Sequence, residues 1–178
     1  MKKIGLTFLI LLLTGCVNTE LSTKDKVYNP ENEARIRLYG QNGRPTIMAI
    51  SIDGKKETVN VGGSLGQAFS SFIGTKGNES IGMPESELSK DPSKLSGIIS
   101  GAFFKEFVIP AGSEVTVNNS IMGNQHKHHD PIFNHTVIVT FKGCTGKKVI
   151  FTPEAGKDYE VAPIGLTTGC SVTVYEIK

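Results

Sequence analysis

The sequence predicts an all-β domain built as a two-sheet sandwich, and three observations lead to this prediction. About nine short runs rich in β-branched and aromatic residues are spread along the chain. The runs are separated by turns that contain glycine, proline or aspartate, as in antiparallel strands joined by hairpins. The chain has 178 residues, which is enough for one domain with its own core. Two packed antiparallel sheets accommodate this number of short strands.

The first strands show the alternation of half-buried β-structure. In the run ARIRLYG, apolar residues at positions 34, 36 and 38 alternate with Arg35, Arg37 and Tyr39, so one side of this strand is expected to face the core. The next run, TIMAISIDGKKETVNV, contains Asp53-Gly54 between two strand-like halves. Because glycine tolerates a positive φ, this dipeptide predicts a hairpin.

The C-terminal half gives four further runs, HTVIVTFKG, KKVIFT, DYEVAPI and CSVTVYEI, which follow EFVIP and EVTVN. Short connections between them predict an antiparallel meander. Strand directions alternate in such a meander. The connection that begins at Cys144 and the one that ends at Cys170 are therefore expected at the same end of the domain. The loop before Thr136 is then expected at the opposite end.

Residues 62–104 interrupt the β pattern as a long, partly helical insert. Leu65, Phe69 and Phe72 have helical spacing after a possible capping box formed by Ser64 and Gln67. A second short helix is possible around residues 92–104. Loops of this length in compact domains are usually functional or disordered.

The first sixteen residues, MKKIGLTFLILLLTGC, predict an export signal. Lys2 and Lys3 precede an apolar run of about ten residues, half the length that a transmembrane helix needs. The ending Leu13-Thr14-Gly15-Cys16 resembles the lipobox of bacterial lipoproteins. An ordinary signal that is cleaved elsewhere is the alternative.

The lipobox resemblance implies a domain organisation and an address. Residues 1–15 are the signal peptide, and Cys16 becomes the first residue, with diacylglycerol on its sulfur and a fatty acid such as palmitate on its amine. Residues 16–33 are polar and form a flexible tether to a domain at 34–178. Val17 replaces the aspartate that favours inner-membrane retention, which implies an outer-membrane lipoprotein facing the periplasm or the cell surface.

Export also bears on the net charge and on the remaining cysteines. Removal of Lys2 and Lys3 takes the 19 basic residues to 17, against 17 acidic ones, so no global charge favours nucleic acid as a partner.

Cys144 and Cys170 are then the two cysteines left for an oxidising compartment, and we expect them to form a disulfide. Two buried free thiols are the alternative.

The four histidines lie within twelve residues, in NQHKHHDPIFNH. In an extended backbone His126 and His128 share a side, and Asp130 and His135 are close enough in sequence to join them around Zn²⁺, Ni²⁺ or Cu²⁺. Adjacent His128 and His129 would point apart, and a structural zinc site usually has four fixed ligands. A solvated loop is therefore the favoured interpretation, and a metal site is the alternative.

Gly62-Gly63-Ser64-Leu65-Gly66 matches the G-x-S-x-G elbow of hydrolases. That elbow belongs to a parallel sheet with helices between the strands, whereas this chain shows hairpin-linked strands. A turn followed by a helix cap is the preferred interpretation, and no catalytic residue is predicted.

The turn sequences SIDGK, VIPAGSEVTV and FTPEAGKDYEV occur in this order and resemble those of uncharacterised bacterial lipoproteins with small immunoglobulin-like sandwich domains. The resemblance covers about residues 34–61 and 106–178 and carries no ligand or activity. It implies an immunoglobulin-like antiparallel β-sandwich with residues 62–104 inserted.

These observations favour a lipid-anchored envelope module that is not an enzyme, has no cofactor and acts through contacts with another protein. The membrane is contacted through the lipid on Cys16, and the protein partner is not specified. A metal-binding or metal-sensing lipoprotein that uses the histidine loop is the second hypothesis. An immunity or inhibitor lipoprotein that acts through the insert is the third.

Overall fold

The computed structural model describes residues 21, 27–62, 77–95, 101–164 and 169–178. These residues form eleven strands, one short α-helix and one 3₁₀ turn, which confirms the all-β prediction. The elements are β1 Glu33–Gly40, β2 Thr46–Ile52, β3 Lys55–Val61, α1 Glu87–Lys90, the 3₁₀ turn Pro92–Lys94, β4 Phe103–Pro110, β5 Val115–Ile121, β6 Asn124–Asp130, β7 His135–Phe141, β8 Cys144–Thr145, β9 Val149–Phe151, β10 Asp158–Pro163 and β11 Val172–Ile177.

Two sheets build the sandwich. The first has the order β11-β10-β1-β4, and the second has the order β3-β2-β5 with β8 and β9 both alongside β5. The core contains buried side chains from both sheets, such as Ile36 and Leu38 from the first and Met48 and Val117 from the second. The pairing is antiparallel except between β1 and β10, which run parallel. The predicted sandwich is therefore confirmed, with one parallel pair in it.

The predicted hairpin at Asp53-Gly54 joins β2 to β3, and the register pairs Ile52 with Lys55. Asp53 and Gly54 have φ values of 51° and 74°, the left-handed region in which aspartate and glycine are favoured. Alternation along β2 then places Met48 and Ile50 on the core face. Local turn chemistry was sufficient to predict this part of the fold.

Strand β1 is buried on both faces, which corrects its half-buried interpretation. Residues 77–95, called here the covering segment, cross the outer face of this sheet. Leu95 of the segment joins Tyr39, Phe104 and Ala162 in a second small cluster on that face. Arg37 and Tyr39 are consequently 2% and 0% exposed.

The described part of the insert contains one short α-helix and one 3₁₀ turn. The helix α1 has four residues, and its N-cap Ser86 forms a capping box with Ser89. The 3₁₀ turn follows directly. The helix predicted through Leu65 and Phe72, with the capping box of Ser64 and Gln67, lies outside the described residues, as do residues 63–66 of the G-x-S-x-G motif.

The two ends of the sandwich can be told apart by their turns. At one end, the Ala111 amide donates to the Asn32 carbonyl and the Gly156 amide donates to the Glu33 carbonyl. At the other end, the Met122 amide donates to the Gly43 carbonyl. The chain therefore enters β1 at the end opposite to the one where β5 finishes.

Cys144 and Cys170 form the predicted disulfide, with 5.8 Å between their Cα atoms. The two cysteines lie at the end of the sandwich where β5 finishes, because Ile121 pairs with Cys144. The expected meander is wrong for the run HTVIVTFKG: β7 pairs with β6 in a separate two-stranded sheet and is not a sandwich strand. The histidines therefore project from the disulfide end, not from the opposite end as predicted.

No helix among the described residues is long and apolar enough to cross a membrane.

Candidate functional site

The strands β6 and β7 form a hairpin that extends beyond the sandwich. Their ladder runs from Asn124 paired with Phe141 to Asp130 paired with His135. At about 3.4 Å per residue, seven residues give each strand a length of roughly 20 Å. Residues 131–140 are all exposed. We call residues 124–141 the projecting hairpin.

The tip of the projecting hairpin has a defined turn. Asp130 Oδ1 accepts hydrogen bonds from the amides of Ile132 at 2.8 Å and Phe133 at 3.2 Å. Asn134 has a φ of 49°, a left-handed conformation that asparagine tolerates well. The Phe133 ring lies 5.8 Å from the His135 ring. The tip therefore presents its apolar side chains on an ordered turn.

The base of the projecting hairpin is narrow and is fixed to the sandwich. A Cβ on Gly143 would lie 2.6 Å from both the Gly123 amide nitrogen and the Ile121 carbonyl oxygen, so only glycine fits there. Cys144 follows at once and is tied to Cys170 by the disulfide. The returning strand is thus covalently linked to the loop before β11, which holds the base in place.

Apolar side chains are concentrated on this projection. Five of the ten exposed large hydrophobic residues in the described part of the chain belong to it. At the tip, Ile132 and Phe133 are 83% and 71% exposed, and on β7 the residues Val137, Ile138 and Val139 are 39%, 53% and 44% exposed. Val137 and Val139 lie on the face of His126 and His128, and Ile138 lies on the other face, so the hairpin exposes apolar side chains on both faces. Large exposed apolar surface marks interaction sites.

The two strands of the projecting hairpin differ in chemistry. β6 has the sequence NQHKHHD, without an apolar residue, whereas β7 is HTVIVTF. Within the part of the chain that the structure describes, neither strand is paired on its outer side, because β6 and β7 form a sheet of two strands. A hairpin with two open edges is only marginally stable alone in water, so a partner strand would stabilise it.

The register places all four residues of the predicted metal site on one face. Directly paired residues of an antiparallel ladder share a face, and His126, His128 and Asp130 alternate along β6, with His135 opposite Asp130. Alternate residues are separated by roughly 7 Å along a strand. Across the described residues, no three His, Cys, Asp or Glu side chains are grouped closely enough to hold a metal ion. His129 lies on the other face.

A second notable cluster lies beneath the covering segment. Arg37 on β1 is paired in register with Glu106 on β4 and with Glu160 on β10, so a cation stands between two carboxylates across three adjacent strands. Arg37 Nε and Nη2 donate to Glu106 Oε1 at 2.9 and 2.6 Å. Arg37 Nη1 is 3.5 Å from Glu160 Oε2.

The covering segment completes this buried cluster with hydrogen bonds. Glu106 Oε2 accepts from the Ser80 hydroxyl at 2.8 Å and from the amides of Ile81 and Met83 at 2.7 and 3.2 Å. Ser86 donates to Glu160 Oε2 at 2.7 Å, while Arg37 donates to the Pro84 carbonyl at 2.8 Å. The charges are thus satisfied by each other and by the segment that covers them.

Two further groups lie where the covering segment meets the sheet. Burial raises the pKa of Tyr39 to about 12, since the phenolate would lose its hydration and lie near Glu160. At the edge of the cluster Arg35 makes two 2.7 Å bonds to Asp158 and donates to the Gly82 carbonyl at 3.0 Å. The hydrogen bonds to Asp158 raise the pKa of Arg35. This arrangement fastens residues 77–95 to the sandwich.

The N-terminal approach to the domain is also described in part. Leu21 packs against the core, and the Tyr28 ring lies 4.5 Å from the Arg35 guanidinium carbon. Asn29 begins the turn into β1. Cys16, the predicted lipidation site, lies outside the described residues.

The sequence predicted β7 as a strand but not its exposure outside the sandwich, and the buried Arg37 cluster was missed altogether. Three consecutive apolar residues at 137–139 do not alternate, and the neighbouring run NQHKHHD has nothing to bury. That combination indicates a strand pair outside the core.

No protein-family model, curated protein or solved structure matches this chain.

Proposed function

We propose that this protein is a lipid-anchored lipoprotein of the bacterial outer membrane, facing the periplasm or the cell surface, which binds another protein through the projecting hairpin and is not an enzyme. The observation that carries the proposal is the set of exposed apolar side chains on a fixed, projecting strand pair. Such a surface, from Ile132 to Val139, is suited to contacts with a protein.

The position of the anchor supports this proposal. The chain enters β1 at the end of the sandwich opposite the projecting hairpin. A lipid on Cys16 would therefore hold the far end of the domain near the membrane. The projecting hairpin would lie at the end of the domain farther from the anchor, where it is accessible to another protein.

The buried ionic cluster supports a role without catalysis. Arg37, Glu106 and Glu160 are 2%, 2% and 6% exposed, and their polar atoms bind the covering segment. This cluster holds the covering segment on the sheet. The charged groups of the cluster are therefore poorly accessible to a substrate. The immunity or inhibitor hypothesis would require contacts made by other parts of residues 62–104.

A photo-crosslinking amino acid tests the proposal in intact cells. Placed at Phe133 on the hairpin tip, it is expected to give an adduct of defined mass. The matched control is Ile150, which is 59% exposed on β9 of the sandwich and is expected to give none. Equal labelling at both positions, or none at Phe133, would contradict the proposal.

Metal binding is the second candidate, and the common face of His126, His128, Asp130 and His135 favours it. Imidazole and carboxylate ligands suit Zn²⁺, Ni²⁺ and Cu²⁺. Asp130 already accepts two turn amides, so its free oxygen would be the ligand atom. A titration described below separates the two candidates.

A further inference from the structure

The outer edges of the projecting hairpin are chemically unequal. The β6 edge carries Lys127 and three histidines, and such polar and cationic side chains protect an edge against pairing. The β7 edge carries Thr136 to Thr140 with no charged side chain, and its backbone pairs with no other described strand on the outer side. An exposed apolar edge strand of this kind is a template for strand addition.

The sequence of β7 reads the same in both directions over residues 136–140. Thr-Val-Ile-Val-Thr is a palindrome centred on Ile138. When two antiparallel copies of such a strand pair around a two-fold axis at Ile138, Val137 of one faces Val139 of the other. Thr136 then faces Thr140, and Ile138 faces itself. A two-fold interface requires this kind of self-complementarity.

We propose that the partner of β7 is β7 of a second copy of this chain, paired antiparallel with Ile138 on the two-fold axis. This inference rests on the proposed function, since it names the partner of the same hairpin. The product is a four-stranded sheet in the order β6-β7-β7-β6. The polar strands are then at the outside and the apolar strands are at the centre.

The distribution of charge agrees with this pairing. No charged side chain occurs from Thr136 to Thr140, so none faces another across the new ladder. Lys127 lies on β6, one strand away from the axis in each copy. Strands are about 4.8 Å apart, which puts the two Lys127 backbones roughly 14 Å from each other, where solvent screens their charges.

The size of the interface determines its strength. Five residues of each strand contribute to the interface. Their apolar side chains are only 39% to 53% exposed in the single chain, so pairing can bury little further apolar surface. Such an interface is well below the roughly 1,200 Å² of stable complexes. We therefore expect weak pairing.

The antiparallel arrangement has a further consequence for the tips. The tip of each hairpin comes to lie beside the base of the other, where Met122 is 58% exposed. With Ile138 on the axis, Phe133 of one copy lies opposite Gly143 of the second copy, and Met122 lies one strand farther away on the β6 side. The tips therefore add little to the short ladder.

Cysteine crosslinking in native membranes tests both the partner and the register. In full-length protein, Ile138→Cys treated with a short bismaleimide is expected to give a dimer. Thr140→Cys alone is the matched control, since two copies of residue 140 would be about 14 Å apart along the strands, four residues at about 3.4 Å each. Co-expressed Thr136→Cys and Thr140→Cys chains are expected to crosslink with each other.

The outcomes separate this inference from the proposed function. Dimer formation at Ile138→Cys at least about fivefold above Thr140→Cys supports the pairing. Equal yields at both positions would indicate random collision and overturn it. A crosslink from Ile138→Cys to a different protein would overturn the second-copy partner while leaving the proposed function in place. Absence of any adduct at Ile138→Cys and at Phe133 would refute both.

A second variant tests the register. When Ile138→Lys is added to both chains of the crosslinking pair Thr136→Cys and Thr140→Cys, their dimer is expected to be lost, because two lysines then face each other on the two-fold axis.

Discussion

Arg37 and Glu106 lie directly opposite each other on β1 and β4, and Arg37 Nη2 donates to Glu106 Oε1 at 2.6 Å beneath the covering segment. Their side chains are 2% and 0% exposed. The same carboxylate accepts the amides of Ile81 and Met83. One ion pair thus joins two strands of the sandwich to the segment that covers them.

Glu106→Gln is expected to destabilise the domain by roughly 3–5 kcal/mol, because it leaves Arg37 without its closest counter-charge in a buried site. The free energy of unfolding in urea measures this effect. Limited proteolysis should also show faster cleavage within residues 77–95. Glu79→Gln is the control: Glu79 pairs with Lys105 at the surface, 48% exposed, and its loss should cost less than about 1 kcal/mol. Similar losses in both variants would contradict a stabilising role for the buried pair.

Stability should fall at high pH through Tyr39. Its pKa is raised by burial from 10.0 to about 12 in the folded chain. The folded state therefore holds this proton more tightly than the unfolded state does. The contribution is fully present below pH 10 and is lost as pH rises towards 12.

Absorbance of tyrosinate tests this expectation. The wild type should show a late phase near pH 12, coupled to release of the covering segment, and Tyr39→Phe should lack that phase. Tyr175→Phe, on the exposed end of β11, should keep it. A late phase that persists in Tyr39→Phe would contradict the assignment.

The disulfide should stabilise both the domain and the base of the projecting hairpin. Replacing Cys144 and Cys170 together by serine is expected to lower the free energy of unfolding by roughly 2–5 kcal/mol, since the unfolded chain is no longer constrained. Chemical denaturation measures the loss, and the membrane-bound fraction should not change. Unaltered stability would show that the crosslink is not needed to hold β8 against the loop before β11.

Membrane attachment is expected to depend on Cys16. Cys16→Ser should move the protein from the membrane pellet to the soluble fraction, because the tether has no polybasic patch to replace the acyl chains. Fractionation with a high-salt wash provides the measurement. Cys144→Ser with Cys170→Ser is the matched control and should remain in the pellet. If the Cys16→Ser protein also sediments, the lipoprotein assignment is incorrect.

Zinc binding to the projecting hairpin is expected to be weak at most. Alternate residues on β6 are separated by roughly 7 Å, so His126 and His128 need a change in backbone or side-chain geometry to share an ion. Calorimetric titration with Zn²⁺ at pH 7.5 compares the wild type with a variant in which all four histidines are alanine. Stoichiometric sub-micromolar binding that the variant loses would make metal binding the leading function.

Local chemistry predicted much of this fold. The Asp53-Gly54 turn, the disulfide between Cys144 and Cys170 and the alternating core residues of β2 each depend on a few neighbouring residues or on cysteine count. These features could be derived because the turn conformation and the period of two are properties of the sequence itself.

The burial of Arg37 could not be derived in this way. Its position next to Ile36 and Leu38 is typical of a solvent-facing residue, and its partners come from β4, β10 and the covering segment. The location of β7 was likewise missed, because an apolar run resembles a core strand whether or not another sheet packs on it. Tertiary context decides such cases.

Removal of the projecting hairpin from an intact sandwich tests directly whether the hairpin is the binding surface. Residues 124–141 would be replaced by a short Asn-Gly turn between Gly123 and Lys142, and complexes from solubilised membranes would be compared on native gels. The variant is expected to keep its disulfide and its unfolding temperature but to run as a monomer, while the wild type runs in a larger complex. A larger complex of the same size from both proteins would contradict the claim that the hairpin is the binding surface.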